Sequence, residues 1–278
     1  MWSMRQPSQA PQRLNLDDEN FWQQVVMAPA IITFLDFDGT LVEFAPTPGE
    51  VRFEAARKRW LREIVALPRC AVGVVSGRAV DDLRRLIGLE QIFYVGCHGL
   101  EWAAPDGMRY VSWPNRALLD ALASLRAEMR EAMAGQPGIV IEDKGIALAL
   151  HYRMADQDTA AAARKEFVRA VNWYQRQGVK LELLGGKEVI EARPGGATKG
   201  DAITQLWSRY APKAMPIYIG DDVTDETAFQ AIGATGLTIL VADAPRPTAA
   251  QLYLKNSTEV YVLLRCLVRL RDRGRSVH

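Results

Sequence analysis

Short hydrophobic runs alternate with amphipathic stretches toward both ends of this chain, and most of the runs end abruptly in polar residues. Runs rich in β-branched and aromatic residues predict buried strands, and apolar residues three and four positions apart predict helices. The strands are predicted at 31–35, 70–75, 92–95, 217–219 and 237–241, and the helices at 53–66, 80–87, 199–210, 225–232 and 258–271. This alternation is typical of an α/β fold, so we predict a Rossmann-like core with a mainly parallel sheet. Ligands of such a sheet bind at the carboxyl ends of its strands.

The middle of the chain has a different pattern, in which turn residues separate pairs of strand-like runs. Turns are predicted at Pro105-Asp106-Gly107, Asp143-Lys144-Gly145 and Gly185-Gly186, between the runs 100–103 and 108–113, 139–142 and 146–152, and 179–184 and 187–191. Helical patterns cover 117–133 and 159–175. We therefore expect a core domain over 27–104 and 195–278, an inserted α+β domain over 105–194, and a flexible or helical extension over 1–26 whose first 20 residues are frayed.

Composition limits the classes of partner. The 278 residues include 34 basic and 33 acidic side chains, so the formal net charge of +1 predicts no general attraction to nucleic acid or to an anionic membrane. Three scattered cysteines, Cys70, Cys97 and Cys266, predict free thiols in a reducing compartment. The first 20 residues lack an apolar signal core, and no run approaches the roughly 20 apolar residues of a membrane span. We expect a cytoplasmic protein.

Two aspartates mark the end of the first predicted strand, in the sequence Asp36-Phe37-Asp38-Gly39-Thr40. Side chains two apart on an extended chain point the same way, so Asp36 and Asp38 can address one site. Two like charges a few ångströms apart repel unless a cation or a shared proton relieves them. The pair therefore indicates a metal, a division of acid and base roles, or both.

Three further polar motifs lie where other strands end or helices begin: Ser76-Gly77-Arg78, Thr198-Lys199-Gly200 and Gly220-Asp221-Asp222. Each alone is an ordinary turn or helix start. Together with the aspartate pair they supply carboxylates, a hydroxyl and an ammonium at one edge of one sheet. Magnesium prefers oxygen ligands, which Asp36, Asp38 and Asp221 can provide, and a phosphate monoester then gains countercharge from Lys199 and a hydrogen bond from Ser76. We interpret these motifs as a phosphoryl-transfer site.

These four motifs resemble the signature of the haloacid dehalogenase superfamily of phosphatases. The resemblance implies that Asp36 is the nucleophile that forms an aspartyl-phosphate, and that Asp38 protonates the leaving alkoxide and later activates water. It also implies that Asp38 contacts the metal through its backbone carbonyl, and that Thr40, Asp222 and Asp225 orient the groups in contact with metal and substrate. Asp38 is expected to be less directly paired than Asp36, and so to carry a proton at neutral pH.

The inserted domain narrows the resemblance. The stretches 96–101, 142–145 with 151–153, 186–194 and 220–226 are similar to the trehalose-6-phosphate phosphatase family, in which such a module is a cap over the active site. The resemblance implies magnesium-dependent hydrolysis of trehalose 6-phosphate and a functional link to a trehalose-6-phosphate synthase. Two alternatives stay open: a capped phosphatase for another sugar phosphate, such as sucrose phosphate or mannosyl-3-phosphoglycerate, and a regulatory domain without catalysis.

A disaccharide offers many hydroxyls, which charged side chains can bind. The candidates for substrate contact, some from the core motifs and some from the inserted domain, are Gly39, Arg78, His98, Glu101, Glu142, Lys144, His151, Arg153, Glu188 and Glu191. Several have a purely structural alternative. Glu142 and Lys144 are also typical of a solvated hairpin tip, Glu188 and Glu191 of the polar face of a strand, and His151 of a packed core.

Three arginines are open in the same way. Arg153 can bind phosphate or pair with Asp156, and Arg78 and Arg193 can each contact phosphate or form a structural ion pair. The chain also departs from the family pattern, which often has asparagine at the positions of Cys97 and Thr198. Neither change removes a charged catalytic group. Cys97 is expected either to be buried and inert or to make the enzyme sensitive to thiol reagents.

Overall fold

The computed structural model describes residues 10–45, 48–112 and 115–273. The strands are β1 Gln12–Arg13, β2 Ile31–Asp36, β3 Cys70–Val75, β4 Phe93–Gly96, β5 Glu101–Ala103, β6 Arg109–Val111, β7 Val140–Asp143, β8 Leu148–His151, β9 Leu181–Gly186, β10 Val189–Pro194, β11 Met215–Gly220, β12 Leu237–Val241 and β13 Leu252–Leu254. The helices are α1 Glu19–Met27, α2 Ala55–Ala66, α3 Val80–Ile87, α4 Arg116–Ala132, α5 Gln157–Arg176, α6 Lys199–Tyr210, α7 Glu226–Ile232 and α8 Ser257–Arg273. Among the described residues, no helix is both long and apolar enough to cross a membrane.

The chain divides into two compact units. The core unit comprises Met1–Phe44, Val51–Tyr110 and Thr198–His278, and the inserted unit comprises Ala45–Glu50 and Val111–Ala197. Each unit has its own sheet and its own cluster of buried apolar side chains.

The core sheet has nine strands in the order β1-β13-β12-β11-β2-β3-β4-β5-β6. All pairs from β1 to β4 are parallel, and β5 turns back antiparallel to β4. The α/β prediction is confirmed. β2 lies between β3, which follows it in the chain, and β11, which comes much later, so the strand order reverses at β2. In open α/β sheets, ligands bind at the carboxyl ends of strands at such a switch point.

Helices cover both faces of this sheet, which explains why the central strands are continuous apolar runs. All six residues of β2 are buried. Phe34 of β2 packs with Leu206 of α6 and Phe229 of α7 in one cluster. Its neighbours along the strand point to the opposite face, where α2 packs against β3 and against α8.

The inserted unit is a four-stranded antiparallel sheet in the order β7-β8-β10-β9, with α4 and α5 packed on one face. The apolar strand residues Leu148, Leu150 and Ile190 face the helices and pack in one cluster with Phe167 of α5. Because successive strand residues alternate between faces, Glu191 lies on the other face of the sheet. The polar candidates of this unit are therefore separated from its apolar core.

Two predicted features differ from the structure because of local backbone geometry. The predicted turn at Gly185-Gly186 is wrong: both glycines belong to β9, and Gly186 pairs with Val189. The turn is made by Lys187 and Glu188, with Glu188 in the left-handed region at φ 61°. The frayed start is wrong for residues 12–13, which form β1 and pair in parallel with β13, whereas residues 1–9 lie outside the described residues.

The first predicted hairpin of the middle segment belongs to a different sheet than expected. β5 and β6 lie next to each other at the edge of the core sheet, where β5 pairs with β4. Trp102 and Tyr110 stack there with ring centroids 5.6 Å apart. The turn predicted at 105–107 does connect two strands, β5 and β6. Turn residues do not, however, specify which sheet the two strands join. The end of the predicted second strand, at residue 113, lies outside the described residues.

Candidate active site

Three neighbouring strands of the core sheet bring the predicted motifs to one edge. Asp36 is the last residue of β2, Ser76 directly follows β3, and Asp221 directly follows β11. Because β3, β2 and β11 are parallel neighbours, their carboxyl ends lie side by side. The side chains of all three residues are buried. The fold therefore brings together residues that are separated in the sequence by 40 positions or more.

Lys199 connects two carboxylates at this edge. Its Nζ lies 2.6 Å from Asp36 Oδ1 and 2.7 Å from Asp225 Oδ1. Lys199 is the first residue of α6, whose start is fixed by a capping box between Thr198 and Asp201. The side chain of Lys199 is 2% exposed, and that of Asp225 is fully buried. Buried charges at these distances are hydrogen-bonded ion pairs rather than solvated surface groups.

Charge is unevenly distributed in this cluster. Burial raises the pKa of Asp36 well above its usual range, and the charges of Asp225 and Asp221 push the pKa in the same direction, against the effect of Lys199. Burial would lower the pKa of Lys199, but Asp225 and Asp36 outweigh it and raise that pKa. Lys199 is therefore a permanent ammonium, surrounded by more negative charge than it can balance.

A divalent cation fits this cluster. Asp36, Asp221 and Asp225 each offer a carboxylate oxygen, and these atoms lie within 4.8 Å of one another. All three are buried, and oxygen ligands of this kind suit magnesium. The predicted ligands were Asp36, Asp221 and the backbone carbonyl of Asp38, with Asp225 behind them, and the structure differs in placing the Asp225 carboxylate in the cluster itself. The Asp38 carboxylate points to Arg78, which is compatible with a ligand role for its carbonyl alone. The donor chemistry matches a magnesium site.

Tyr218 is a residue of this site that sequence reasoning missed. Its hydroxyl donates to Asp225 Oδ1 at 2.7 Å, the same oxygen that accepts from Lys199. Asp225 Oδ2 accepts from the backbone N–H of Asp222 at 2.8 Å. A tyrosine within an apolar strand is usually interpreted as a core residue. The signal for a further role was its hydroxyl, which needs a hydrogen-bond partner when it is buried. Asp225 is thereby held by contacts from α6, β11 and its own loop.

The Asp38 carboxylate is held by arginine, which overturns the expectation that it is weakly paired. Arg78 donates to it through Nε and Nη2, both at 2.8 Å, and Ser76 Oγ donates at 3.3 Å. Arg78 also contacts Asp82 at 3.2 Å. The short loop after β3 places Arg78 beside Asp38, and the planar guanidinium suits both oxygens of one carboxylate. Of the two alternatives for Arg78, the ion pair is the one observed.

Gly39 allows two motifs to approach closely. Its φ is 97°, and a Cβ added there would lie 2.4 Å from Asp221 Oδ2. Any other residue would be both strained and in collision with Asp221. The following Thr40 is fully buried, and its Oγ1 has no hydrogen-bond partner among the described residues. The turn after β2 is therefore shaped by its contact with the Asp221 loop.

The polar candidates of the inserted unit pair with one another. Lys144 Nζ contacts Glu191 Oε2, and both side chains are buried. His151 Nε2 lies 2.7 Å from Glu142 Oε2. The solvated-tip alternative for Lys144 is therefore wrong, because its side chain is 8% exposed. Glu142 and His151 share one face of the sheet, so His151 is not part of the apolar core.

Arg153 has a different partner from the one proposed as its alternative. Its Nε donates to Glu188 at 3.0 Å, and its two terminal nitrogens donate to the carbonyls of Ala45 and Lys187 at 2.7 and 3.0 Å. Asp156 instead caps the start of α5. Arg193 has one carboxylate neighbour among the described residues, Glu182, at 3.8 Å.

Comparisons with known proteins agree with this geometry. The trehalose-phosphatase family model matches residues 34–258 of the chain. This chain belongs to the trehalose-phosphatase family. Its core fold is that of the haloacid dehalogenase superfamily. The trehalose-phosphate phosphatase of Mycobacterium marinum is 37% identical over 243 residues, which are 84% of this chain and 60% of that protein. The Mycobacterium tuberculosis enzyme is 36% identical over 247 residues, 85% of this chain. The chain thus spans about 60% of the length of the curated relatives that it matches.

Solved structures support the fold of this family member. The trehalose-6-phosphate phosphatase C-terminal domain of Candida albicans has a TM-score of 0.78 at 21% identity, covering 95% of this chain and 99% of that one. A trehalose-6-phosphate phosphatase related protein has a TM-score of 0.73 at 25% identity, covering 87% and 99%. A Candida albicans trehalose synthase regulatory protein domain has a TM-score of 0.72 at 12% identity, covering 93% and 99%.

Two residues that were predicted to contact the substrate, Glu101 and His98, lie close to other residues of the core unit. Glu101 Oε1 accepts from the backbone N–H of Val80 at 2.8 Å, at the start of α3. The same oxygen lies 3.5 Å from the thiol of Cys97, which is fully buried. Burial agrees with the inert alternative for this cysteine. His98 lies over Gly77, where an added Cβ would come 2.4 Å from its Nε2.

Proposed function

We propose that this chain is a magnesium-dependent phosphatase that hydrolyses trehalose 6-phosphate to trehalose and inorganic phosphate. The observation that carries the proposal is the charge imbalance at the end of β2, where the carboxylates of Asp36, Asp221 and Asp225 cluster and Lys199 pairs with two of them. A divalent cation brings the formal charge of these four side chains to zero. The anionic phosphate of a substrate can then approach Asp36, which the net charge of −2 left by three carboxylates and one ammonium would otherwise repel.

Asp36 is the proposed nucleophile. One of its carboxylate oxygens attacks phosphorus, the bond from phosphorus to the sugar oxygen breaks, and Asp38 gives its proton to that oxygen. Water then attacks the aspartyl-phosphate, Asp38 takes a proton from the water, and Asp36 leaves as a carboxylate. Lys199 lies 2.6 Å from Asp36 Oδ1, so it holds the nucleophile in place and offsets the negative charge that develops nearby.

Asp38 follows Asp36 by two residues, and Arg78 holds it, with two nitrogens bound to its two oxygens. Proton donation by Asp38 requires this contact to loosen when the substrate is bound. The incoming phosphate competes for Arg78, because guanidinium groups bind phosphate and carboxylate with similar geometry. Ser76 remains beside Asp38 through its hydroxyl.

Magnesium, held by Asp36, Asp221 and Asp225 with the backbone carbonyl of Asp38, would act as a Lewis acid on the phosphate oxygens. Thr40 and Asp222 are proposed to support these ligands from the same two loops. Asp222 does so through its backbone N–H, which binds Asp225 Oδ2.

The inserted unit is proposed to bind the sugar as a cap. Glu142 and His151 lie on its polar sheet face with the Lys144–Glu191 pair, and Arg153 orients Glu188 at the 187–188 turn. Paired charges of this kind can exchange one hydrogen bond for another with a sugar hydroxyl at little cost. Gly39, Arg78, His98 and Glu101 remain the candidates from the core unit. Since the substrate is a phosphorylated disaccharide, a trehalose-6-phosphate synthase is the functional partner that the proposal implies.

The other readings have less support. A phosphatase for sucrose phosphate or mannosyl-3-phosphoglycerate would use the same core site, and would differ from the proposal only in the inserted unit. A regulatory domain would have no need of the nucleophile, the second aspartate and the lysine together, and Asp36, Asp38 and Lys199 are all in place.

A phosphate-release assay tests the proposal. Trehalose 6-phosphate, sucrose 6-phosphate, mannosyl-3-phosphoglycerate and glucose 6-phosphate would each be supplied with magnesium or with a chelator. We expect kcat/KM for trehalose 6-phosphate to exceed the others by at least about tenfold, which corresponds to roughly 1.4 kcal/mol of discrimination. The chelator should abolish activity and added magnesium should restore it. Equal rates on all four substrates would refute trehalose 6-phosphate as the specific substrate. Failure to release phosphate from any of them would refute the proposed phosphatase activity.

A further inference from the structure

The backbone carbonyl of Leu41, three residues after Asp38, accepts hydrogen bonds from side chains of two helices. Tyr261 of α8 donates its hydroxyl at 2.9 Å, and Arg57 of α2 donates Nη1 at 2.7 Å. A carbonyl oxygen has two lone pairs, so these two donors satisfy it completely. The guanidinium of Arg57 also lies 5.2 Å from the centroid of the Tyr261 ring. The two donors thus contact each other as well as their shared acceptor.

Leu41 belongs to the closed turn that carries Asp38. The N–H of Gly39 donates to Val42 O at 2.7 Å, and the N–H groups of Leu41 and Val42 both donate to Phe37 O, at 3.0 and 2.9 Å. Leu41 itself is fully buried. In a turn this tightly bonded, a shift of the Leu41 carbonyl is passed on to Gly39 and to the adjoining Asp38. The position of Asp38 therefore depends on what holds Leu41.

We propose that Tyr261 and Arg57 are positioning residues that fix the turn carrying Asp38 through the Leu41 carbonyl. Neither side chain reaches Asp36 or Asp38, so they act on the reaction through Leu41 alone. Tyr261 lies beyond residues 34–258, which the family model matches. This inference rests on the proposed function, since it assigns Asp38 the proton transfer described above. It gives α8, which carries none of the four motifs, a part in the site.

The chemistry of the two donors suits this role. Burial raises the pKa of Tyr261, so its hydroxyl stays protonated and remains a donor at neutral pH. Arg57 is charged at every relevant pH. The contact is consequently insensitive to pH in the range where a phosphatase works. Placement errors near 1 Å can cost orders of magnitude in rate, so two bonds at this point are of consequence for catalysis.

Tyr261→Phe is the sharpest test because it removes one hydroxyl and keeps the ring that contacts Arg57. Tyr94→Phe is a matched control. Tyr94 is a buried tyrosine of β4 whose hydroxyl also donates to a leucine carbonyl, that of Leu89, at 2.6 Å, and accepts from the N–H of the same residue at 3.2 Å. Leu89 precedes β4, at the opposite edge of the sheet from the site. Both variants lose a tyrosine-to-carbonyl hydrogen bond, but only one of the two bonds holds the Asp38 turn.

We expect Tyr261→Phe to lower kcat for trehalose 6-phosphate by about 3- to 10-fold, the usual range for one hydrogen bond, with KM unchanged. Arg57→Lys, which keeps the charge and loses the fork, should act in the same direction. Tyr94→Phe should keep the parent kcat at a temperature where all variants are folded. Parent-like kcat in Tyr261→Phe, or an equal loss in Tyr94→Phe, would overturn the proposal.

Amide hydrogen exchange separates this proposal from the proposed function, since it needs no substrate. The amides of residues 39–42 should exchange faster in Tyr261→Phe than in the parent, and Tyr94→Phe should leave them unchanged. A parent chain that releases no phosphate from trehalose 6-phosphate would refute the proposed function. Faster exchange of residues 39–42 in Tyr261→Phe would still support the positioning role of Tyr261. Unchanged exchange in residues 39–42 of Tyr261→Phe would refute the positioning role of Tyr261 even if the enzyme is fully active.

Discussion

The two units of this chain use buried charge in opposite ways. At the end of β2 in the core unit, three buried carboxylates cluster and share one ammonium, that of Lys199, so negative charge is left over. On the polar sheet face of the inserted unit, Lys144 pairs with Glu191 and His151 pairs with Glu142. The excess negative charge of the first cluster favours binding of a cation, and the bound cation would then allow an anionic substrate to reach Asp36. This cluster therefore indicates a reaction. In the inserted unit each of these side chains has a polar partner, although Glu191 Oε1 has none among the described residues, and such pairs indicate only that a polar ligand can be accommodated.

Replacement of the nucleophile should have the largest effect. Asp36→Asn removes the attacking oxygen, so phosphate release should fall by about 10⁴-fold or more, as it does when the nucleophile of another hydrolase is removed. Stability should be unchanged or higher, because the variant lowers the excess negative charge. Steady-state kinetics and thermal unfolding measure both. Asp81→Asn, at an exposed partner of Arg109, is the control and should behave as the parent. A variant with near-parent rates would refute the nucleophile.

A matched pair of lysine variants tests the comparison of the two units. Lys199→Met and Lys144→Met each leave a buried carboxylate without its ammonium, which costs about 3–5 kcal/mol of stability. Only Lys199→Met should abolish kcat, whereas Lys144→Met should raise KM and leave kcat within about tenfold of the parent, because it loses only substrate binding. Denaturant unfolding and steady-state kinetics give the two readouts. Equal losses of kcat would contradict the division between chemistry in one unit and binding in the other.

Tyr218→Phe should have a smaller effect, confined to the core unit. It removes the hydroxyl that donates to Asp225 Oδ1 and leaves the ring in place. Residues that support metal ligands typically contribute 10–100-fold to metal affinity or activity, so we expect the magnesium concentration for half-maximal activity to rise by about tenfold. Isothermal titration with magnesium checks the affinity directly. Tyr94→Phe serves as the control, and an unchanged magnesium affinity in Tyr218→Phe would exclude this role for the hydroxyl.

The smallest expected effect concerns the turn of the inserted unit. Glu188 has a φ of 61°, which costs a residue with a side chain roughly 1–2 kcal/mol and glycine nothing, while the greater chain entropy of glycine costs about 0.5–1 kcal/mol. Glu188→Gly should therefore gain about 1 kcal/mol or less from the backbone. It also loses the exposed ion pair with Arg153, which is worth at most about 1 kcal/mol. Stability should therefore stay within about 1 kcal/mol of the parent, while KM for trehalose 6-phosphate rises if Glu188 binds sugar. A parent-like KM would remove Glu188 from the substrate site.

Much of the fold follows from hydrophobic periodicity. The predicted strand at 70–75 and the predicted helices at 80–87 and 199–210 match β3, α3 and α6, because each combines a strong pattern with a clear boundary. β1 and β13 were not predicted, since strands of two and three residues leave no pattern to detect. Their existence depends on pairing with each other and with β12, which is a property of the sheet rather than of the segments.

The site was predictable in its motifs but not in its pairings. The position of Asp36, Asp221 and Lys199 follows from strand ends and helix starts, and the fold brings them together as expected. The Arg78–Asp38 contact and the Tyr218–Asp225 contact depend on side-chain direction across neighbouring strands, which no local pattern encodes. The sequence also left a solvated hairpin tip open as an alternative for Lys144, because the burial of such a tip depends on tertiary packing.

Trapping of the phosphorylated enzyme tests the central claim most directly. The chain would be mixed with trehalose 6-phosphate and magnesium, quenched in acid during turnover, and reduced with borohydride, which converts an aspartyl-phosphate into homoserine at the modified position. Peptide mass mapping should then find the modification at Asp36 and leave Asp38 unmodified, and Asp36→Asn should give no modification. Steady turnover with an unmodified Asp36, or a modification at Asp38, would contradict the account.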